Sequence, residues 1–253
     1  MGMLTNKECR NVRLTISYDG SEYLGWQKQK FSKNTVQEIL EDFLSGLLKE
    51  RVRVIGAGRT DAGAHAIRQV VNFKTTNFSI PVDRFKIIMN NSLPSNIRVL
   101  SSEEVPLSFH SRFSAKFRKY LYIVFVGDEK FYPFLNRYSF IPFKKEWNVD
   151  FMDRVARKFI GQHDFLPISS VREYKSTVRF VKKSRVFKYK DFIIFSFVAN
   201  GFMYNMVRGM VSAVMEAEVL GDENFVERLL KGIEKKKPTL VPANGLYLHR
   251  VFY

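Results

Sequence analysis

Apolar side chains fall at every second position from Asn11 to Asp19, at Val12, Leu14, Ile16 and Tyr18. That alternation predicts a strand with one face buried. The stretch YDGSEYLGWQ then interrupts it and reads as a turn and loop. From Thr35 the period becomes helical. Val36, Ile39, Leu40, Phe43, Leu44 and Leu47 share one face, and Thr35 and Glu38 have the spacing of a capping box. Strands are predicted over Val52–Gly58 and Ile67–Thr75, flanking the loop RTDAGAH. Pro81 opens a second helix that ends before Pro94, and Ile97–Val105 is a further strand. The order is β-α-β-β-α-β, the split ferredoxin-like unit.

The second half repeats this order. Lys116–Val126 alternates, with Tyr120, Tyr122 and Val124 on one side. Val149, Met152, Val155, Ala156 and Phe159 have helical spacing in a helix over Asp150–Ile160. Two long strands follow over Thr177–Lys188 and Phe192–Ala199, then helices over Tyr204–Leu220 and Glu223–Lys231, and a closing strand over Leu246–Phe252. The halves share element order without a residue-level repeat. The junction falls near Pro106, giving an N-terminal α+β half over residues 1–105 and a C-terminal α+β half over residues 106–253. The predicted fold is α+β: two ferredoxin-like halves sharing a mostly antiparallel sheet, with a cleft between them.

Composition narrows the function. The chain has 253 residues, 45% hydrophobic and 15% aromatic, which excludes a disordered basic tail. Its net charge of +16 points to a polyanionic partner, although surplus lysine also serves solubility. The charge is uneven. Residues 1–105 hold 15 basic and 11 acidic side chains, and residues 106–253 hold 26 and 14. Arg172–Lys190 alone has eight basic residues and one acid, interleaved with Phe180, Phe187 and Tyr189. That run suits a strand facing phosphates, and it equally suits a solvated hairpin with an apolar underside. Lys235–Lys237 reads as a solvated helix end. The single Cys9 excludes an intrachain disulfide and a cysteine zinc cluster. No apolar signal core or membrane span is visible; Phe192–Val207 is broken by Ser196, Asn200, Gly201 and Asn205. A cytoplasmic setting is the resulting expectation.

Most catalytic patterns fail. There is no P-loop, no H-E-x-x-H and no G-x-S-x-G, and His65, His110, His163 and His249 are scattered. GAGRTD starts like a dinucleotide fingerprint, but Asp61 stands where the third glycine belongs, and its carboxylate would repel a pyrophosphate. What remains is the run from Gly56 to His65, GAGRTDAGAH, which projects Arg59 and Asp61 from a glycine-rich loop. Taken alone, this reads first as a hairpin turn with a surface arginine and an aspartate bonded to its own backbone.

Spread over nearly the whole chain, the sequence resembles the tRNA pseudouridine synthase A (TruA) family. The resemblance rests on YDG at Tyr18–Gly20, GWQ at Gly25–Gln27, GRTDAGAHA at Gly58–Ala66 and FHSRFSA at Phe109–Ala115. It continues through RKYLY at Arg118–Tyr122, GFMYNMVRGM at Gly201–Met210 and GLYL at Gly245–Leu248. Ala64 stands where valine is expected, and Ser111 where alanine is expected.

The resemblance implies an isomerase that converts uridine to pseudouridine in the tRNA anticodon stem-loop, at nucleotides 38, 39 and 40. It also implies a homodimer with tRNA lying across both subunits. The reaction breaks the C1′–N1 bond, turns the base and joins C1′ to C5, with no redox cofactor and no ATP. By the same matching, Asp61 is the catalytic carboxylate, as nucleophile or base. Arg208 is its cationic partner, and Tyr120 is the ring that stacks on the target base. Arg59 is the residue that enters the stem as the nucleotide is extruded, a step that chemistry on a paired base requires. Leu246 lines the base pocket. Lys182, Lys183 and Arg185 are the expected phosphate contacts. Plainer roles exist: Arg208 borders an apolar helix stripe, Tyr120 suits a strand core, and Leu246 suits simple packing. A non-catalytic RNA-binding protein is the rival reading, and it has no need of the Asp61, Tyr120 and Arg208 set. A DNA-binding regulator would want a helix-turn-helix, which the pattern does not offer.

Overall fold

The computed structural model describes residues 8–170 and 176–253. The first seven residues, and Arg172 and Lys175 of the basic run, lie outside the described residues. Two compact units result, one ending at Lys116 but including Tyr253, the other spanning Phe117–Phe252. The division lies eleven residues beyond the junction at 105/106 read from the sequence, because the segment after Pro106 is tied to the first unit. Buried Asn11 donates through Nδ2 to the carbonyls of Pro106 (3.0 Å) and Phe109 (2.9 Å). Buried Asn72 donates to Asn11 Oδ1 at 2.9 Å and accepts the Ser111 N–H at 2.9 Å. Tyr253 donates its hydroxyl to the Ser111 carbonyl at 2.9 Å. Each of these groups would cost free energy if buried without a partner, so the chain of bonds fixes where residues 106–111 lie.

The first unit runs β1 (Arg10–Tyr18), α1 (Val36–Leu48), β2 (Ile55–Gly56), β3 (His65–Thr75), α2 (Arg84–Ser92) and β4 (Ile97–Val105). Its strands lie in the order β4-β1-β3-β2, and every neighbouring pair is antiparallel. The β1 alternation is as expected: Val12, Leu14 and Ile16 are fully buried. Thr35 caps α1, its hydroxyl accepting the Glu38 N–H at 3.3 Å, while the Glu38 carboxylate turns away to Lys28 at 2.7 Å. Strand β2 has two residues instead of the predicted seven. The reason is that α1 side chains take the hydrogen bonds of residues 52–54. Ser45 accepts the Val52 N–H, Glu41 accepts the Val54 N–H, and Gln37 donates to the Val54 carbonyl, each at 3.0 Å. Helix α2 starts at Arg84 because residues 81–84 form a tight turn, with Arg84 N bonded to Pro81 O at 3.0 Å.

The second unit runs β5 (Phe117–Phe125), α3 (Tyr132–Leu135), α4 (Val149–Arg157), β6 (Gly161–Asp164), β7 (Val178–Tyr189), β8 (Phe192–Ala199), α5 (Met206–Leu220), α6 (Phe225–Leu230) and β9 (Leu246–Phe252). Its sheet order is β9-β5-β8-β7-β6, again with antiparallel neighbours. Without β6 this is the same arrangement as in the first unit. Strand β6 and the short α3 were not foreseen, since GQHD and YPFL show neither alternation nor a full helical stripe. Helix α5 begins two residues later than predicted because Asn205 is left-handed at φ 62°. Tyr122, Phe159, Phe165, Phe195 and Phe197 are fully buried. Burying each large apolar side chain contributes roughly 1.5–3 kcal/mol. Gly209 brings α5 directly onto the chain at Ile168, where a Cβ would lie 2.0 Å from the Ile168 carbonyl oxygen.

Candidate active site

Asp61 lies half-buried on the loop joining β2 to β3, with Arg59 exposed two residues before it. The loop turns tightly, Ala64 N donating to Asp61 O at 3.1 Å, with Gly63 in the left-handed region at φ 79°. The two early motifs, YDG and GWQ, pack against it. Trp26 N donates to Thr60 O at 3.1 Å, and the buried Tyr18 hydroxyl pairs with Thr60 Oγ1 at 2.8 Å. Gly25 is left-handed at φ 87°, and a Cβ there would stand 2.7 Å from Thr60 O and 3.0 Å from the Asp61 carbonyl carbon. A Cβ on Gly20 would stand 1.8 Å from Ala64 O. Gln69 Nε2 reaches Gly58 O at 2.7 Å. The residues on both sides of Asp61 are therefore held by backbone contact and short hydrogen bonds. Burial pushes the Tyr18 phenol far up from its ordinary pKa, against the bonds from Thr60 and Gln69, so it serves the loop as a neutral hydroxyl.

The other expected site residues belong to the second unit. Tyr120 sits on β5 opposite Phe197 of β8 and Leu248 of β9, is almost wholly buried, and meets the Phe202 ring edge-on at 5.0 Å. Arg208 is in the first turn of α5. It is half-buried, and its guanidinium donates to Val241 O at 2.7 Å and to Asn205 Oδ1 at 3.2 Å. Leu246 opens β9 opposite Tyr122, buried beside Gly245. Tyr122 donates to Pro242 O at 2.7 Å; burial raises its pKa and the charge of Arg208 acts the other way. Arg208 and the start of β9 thus border one region of this unit. Asp61 and Arg59 share the loop of the first.

On β7 the basic run is exposed, and its three expected phosphate contacts differ. Lys182 lies at a bulge between Val181 and Lys183, with its ammonium 4.9 Å above the Phe117 ring. Lys183 is exposed on the strand, while Ser184 and Val186 turn inward. Arg185 is engaged by Asp153, its Nε 2.9 Å from Oδ1. Asp153 also accepts the Val186 N–H at 2.8 Å and Arg157 at 2.7 Å. Burial alone would raise the Asp153 pKa, but these bonds outweigh it and hold the carboxyl below its ordinary value.

Sequence reasoning assigned no role to Tyr18, Gly20, Gly25 or His65, although all lie inside the motifs that carried the resemblance. It also treated Ser111 as a simple departure. Its hydroxyl in fact lies 2.6 Å from Ile55 O and 2.5 Å from Asn72 Oδ1, where its single proton serves acceptors that alanine would leave without it. The visible signal was Asn72 standing between Val71 and Phe73 on a buried strand. Among the described residues no group of three or more His, Cys, Asp or Glu side chains is placed to share a metal ion.

The family model described as tRNA pseudouridine synthase matches residues 14–114 and 155–253. The chain is 39% identical over 249 residues to tRNA pseudouridine synthase A of Acetivibrio thermocellus, covering 96% of this chain and 100% of the relative. It is 40% identical over 249 residues to the protein of that name from Ruminiclostridium cellulolyticum, with the same coverage. For the Brachyspira hyodysenteriae protein the identity is 35% over 246 residues, covering 96% and 98%.

Proposed function

The chain belongs to the tRNA pseudouridine synthase family, and from that premise we propose that Asp61 is the carboxylate through which it isomerises uridine in the anticodon stem-loop. The overall conversion, uridine to pseudouridine in tRNA, belongs to the family. It exchanges one glycosidic bond for another: C1′–N1 breaks, C1′–C5 forms, and the C5 proton leaves as N1 gains one. An ionised carboxylate serves this either by attacking the nucleoside or by taking a proton. The observation that carries the assignment is the way the loop is held. Gly20 and Gly25 allow backbone to lie directly against Ala64, Thr60 and Asp61, so the carboxylate is positioned before substrate arrives.

The remaining roles follow the resemblance. Arg59, exposed beside Asp61, enters the stem in place of the extruded nucleotide. Tyr120 stacks on the target base. Because its ring is almost wholly buried, the base reaches it only if a neighbour such as Phe202 gives way. Arg208 is the cation of the reaction site, and Leu246 lines the base pocket. From the charge of the basic strand, and not from the resemblance, Lys182 and Lys183 contact phosphates. Arg185 joins them only by loosening its bond to Asp153. The enzyme acts as a cytoplasmic homodimer. Incubation with an unmodified tRNA transcript, followed by carbodiimide treatment and primer extension, tests the location. Stops at nucleotides 38, 39 or 40 are expected. Stops confined to another arm of the tRNA would contradict it.

A further inference from the structure

His65, the first residue of β3, is 2% exposed and is used by none of the roles above. Its Nδ1 accepts the Gly20 N–H at 3.1 Å. For Nδ1 to accept this backbone N–H, whose direction the peptide plane fixes, the imidazole carries its proton on Nε2. Asp19 Oδ1 lies 3.2 Å from the same nitrogen and is itself held by Ser21, through N–H at 3.0 Å and hydroxyl at 2.6 Å. The contact falls where the YDG turn presses on the loop. Gly20 leaves no room for a Cβ beside Ala64 O, and Gly63 N donates to Tyr23 O at 3.3 Å. Ala64 in turn closes the loop onto Asp61 O. From the Gly20 amide to the Asp61 backbone there are thus only His65, Ala64 and one turn hydrogen bond.

We propose that His65 is a positioning residue for the isomerisation: its Nδ1 latches the YDG turn to the C-terminal end of the Asp61 loop and so sets where the carboxylate stands. Tyr18 does the same at the N-terminal end through Thr60. The inference rests on Asp61 carrying the chemistry. A misplacement of about 1 Å in a reacting group can cost on the order of 10²-fold in rate without weakening binding.

The test compares His65→Asn, His65→Gln and His65→Leu. Asparagine places an amide oxygen near the position of Nδ1, glutamine places its amide near Nε2, and leucine removes the acceptor. Each is assayed with full-length protein and saturating unmodified tRNA for the single-turnover rate of pseudouridine formation. Filter binding of the same tRNA and thermal melting accompany each assay. We expect His65→Asn to stay within about 3-fold of wild type and the other two to lose roughly 10- to 100-fold in rate, with tRNA affinity held within 2-fold. His65→Gln keeps the site polar if the leucine variant fails to fold. A folded His65→Gln at the wild-type rate overturns the proposal, as does a folded His65→Asn as impaired as His65→Gln. Asp61→Asn is run beside them. If it is inactive while His65→Gln is normal, only the latch fails; if it is active, the assignment of Asp61 fails.

Discussion

Both units arrange four strands in the same order, yet they are held together differently. In the first, polar groups and glycines do the positioning: Asn11, Asn72 and Ser111 form a buried chain, and Gly20 and Gly25 admit backbone against the Asp61 loop. In the second, a block of buried aromatic rings supports an exposed basic strand. The charge follows this division, with 15 basic against 11 acidic residues up to 105 and 26 against 14 beyond. On the proposed function the first unit positions the carboxylate, while the second carries Tyr120, Arg208 and Leu246 as well as the exposed basic strand. Precise placement of one carboxylate calls for short directional bonds. Attraction of a polyanion calls for exposed charge on any sound core.

Gly20→Ala should break the comparison most severely on the first side. Its methyl would meet Ala64 backbone, which has no flexible end to move aside. The loop must shift, with a rate loss on the order of 10²-fold beyond any loss of stability. Gly209→Ala meets the Ile168 carbonyl in the second unit. It should lower stability by about 1–3 kcal/mol and, by shifting the first turn of α5 that carries Arg208, lower the rate by less than Gly20→Ala does. Single-turnover assays beside denaturant melts separate the two; equal rate losses would show that the units do not divide the work as described.

Arg59→Ala comes next. Extrusion from a stacked stem costs a few kcal/mol, and that cost is small for a single-stranded uridine. The variant should therefore lose more turnover on a paired stem than on a single-stranded oligonucleotide. Equal losses would assign Arg59 to the loop itself.

These expectations separate what the sequence made legible from what it did not. The strands Ile97–Val105, Phe192–Ala199 and Leu246–Phe252 have the bounds read from the sequence. Strand β2 was over-read because periodicity registers burial of Val52 and Val54 but not which groups take their hydrogen bonds; here those groups are side chains of α1. Arg59 and Asp61 are the charged pair in a run of glycine, alanine and threonine, and their roles come from the family resemblance. His65 did not stand out, since a histidine beginning a strand looks like any other until Gly20 is placed against it. The commitment of Arg185 to Asp153 was likewise hidden, because a charge run shows sign but not partners.

A smaller effect should follow from Lys182→Gln with Lys183→Gln. Each lost phosphate contact removes roughly 0.7 to 0.9 from the slope of log affinity against log salt. Filter binding across a salt series measures it, and an unchanged slope would place this face away from RNA. The smallest effect concerns pH. Asp153 is held below its ordinary value of 3.8, so its stabilising contribution is present above that value and lost as pH falls through the lower folded value. Asp153→Asn should therefore lower the melting temperature near neutrality, with the gap to wild type closing as pH falls through that range.

The division between chemistry and attraction is tested most directly by measuring Asp61→Asn for both at once, as tritium released from C5-labelled uridine in tRNA and as filter binding of that tRNA. Asparagine keeps the shape of the side chain and removes its charge. Release should fall by at least roughly 10²–10⁴-fold. Binding should persist, because a single carboxylate offers no attraction to phosphates. A folded Asp61→Asn protein that releases tritium near the wild-type rate, or that loses binding together with activity, would contradict the account.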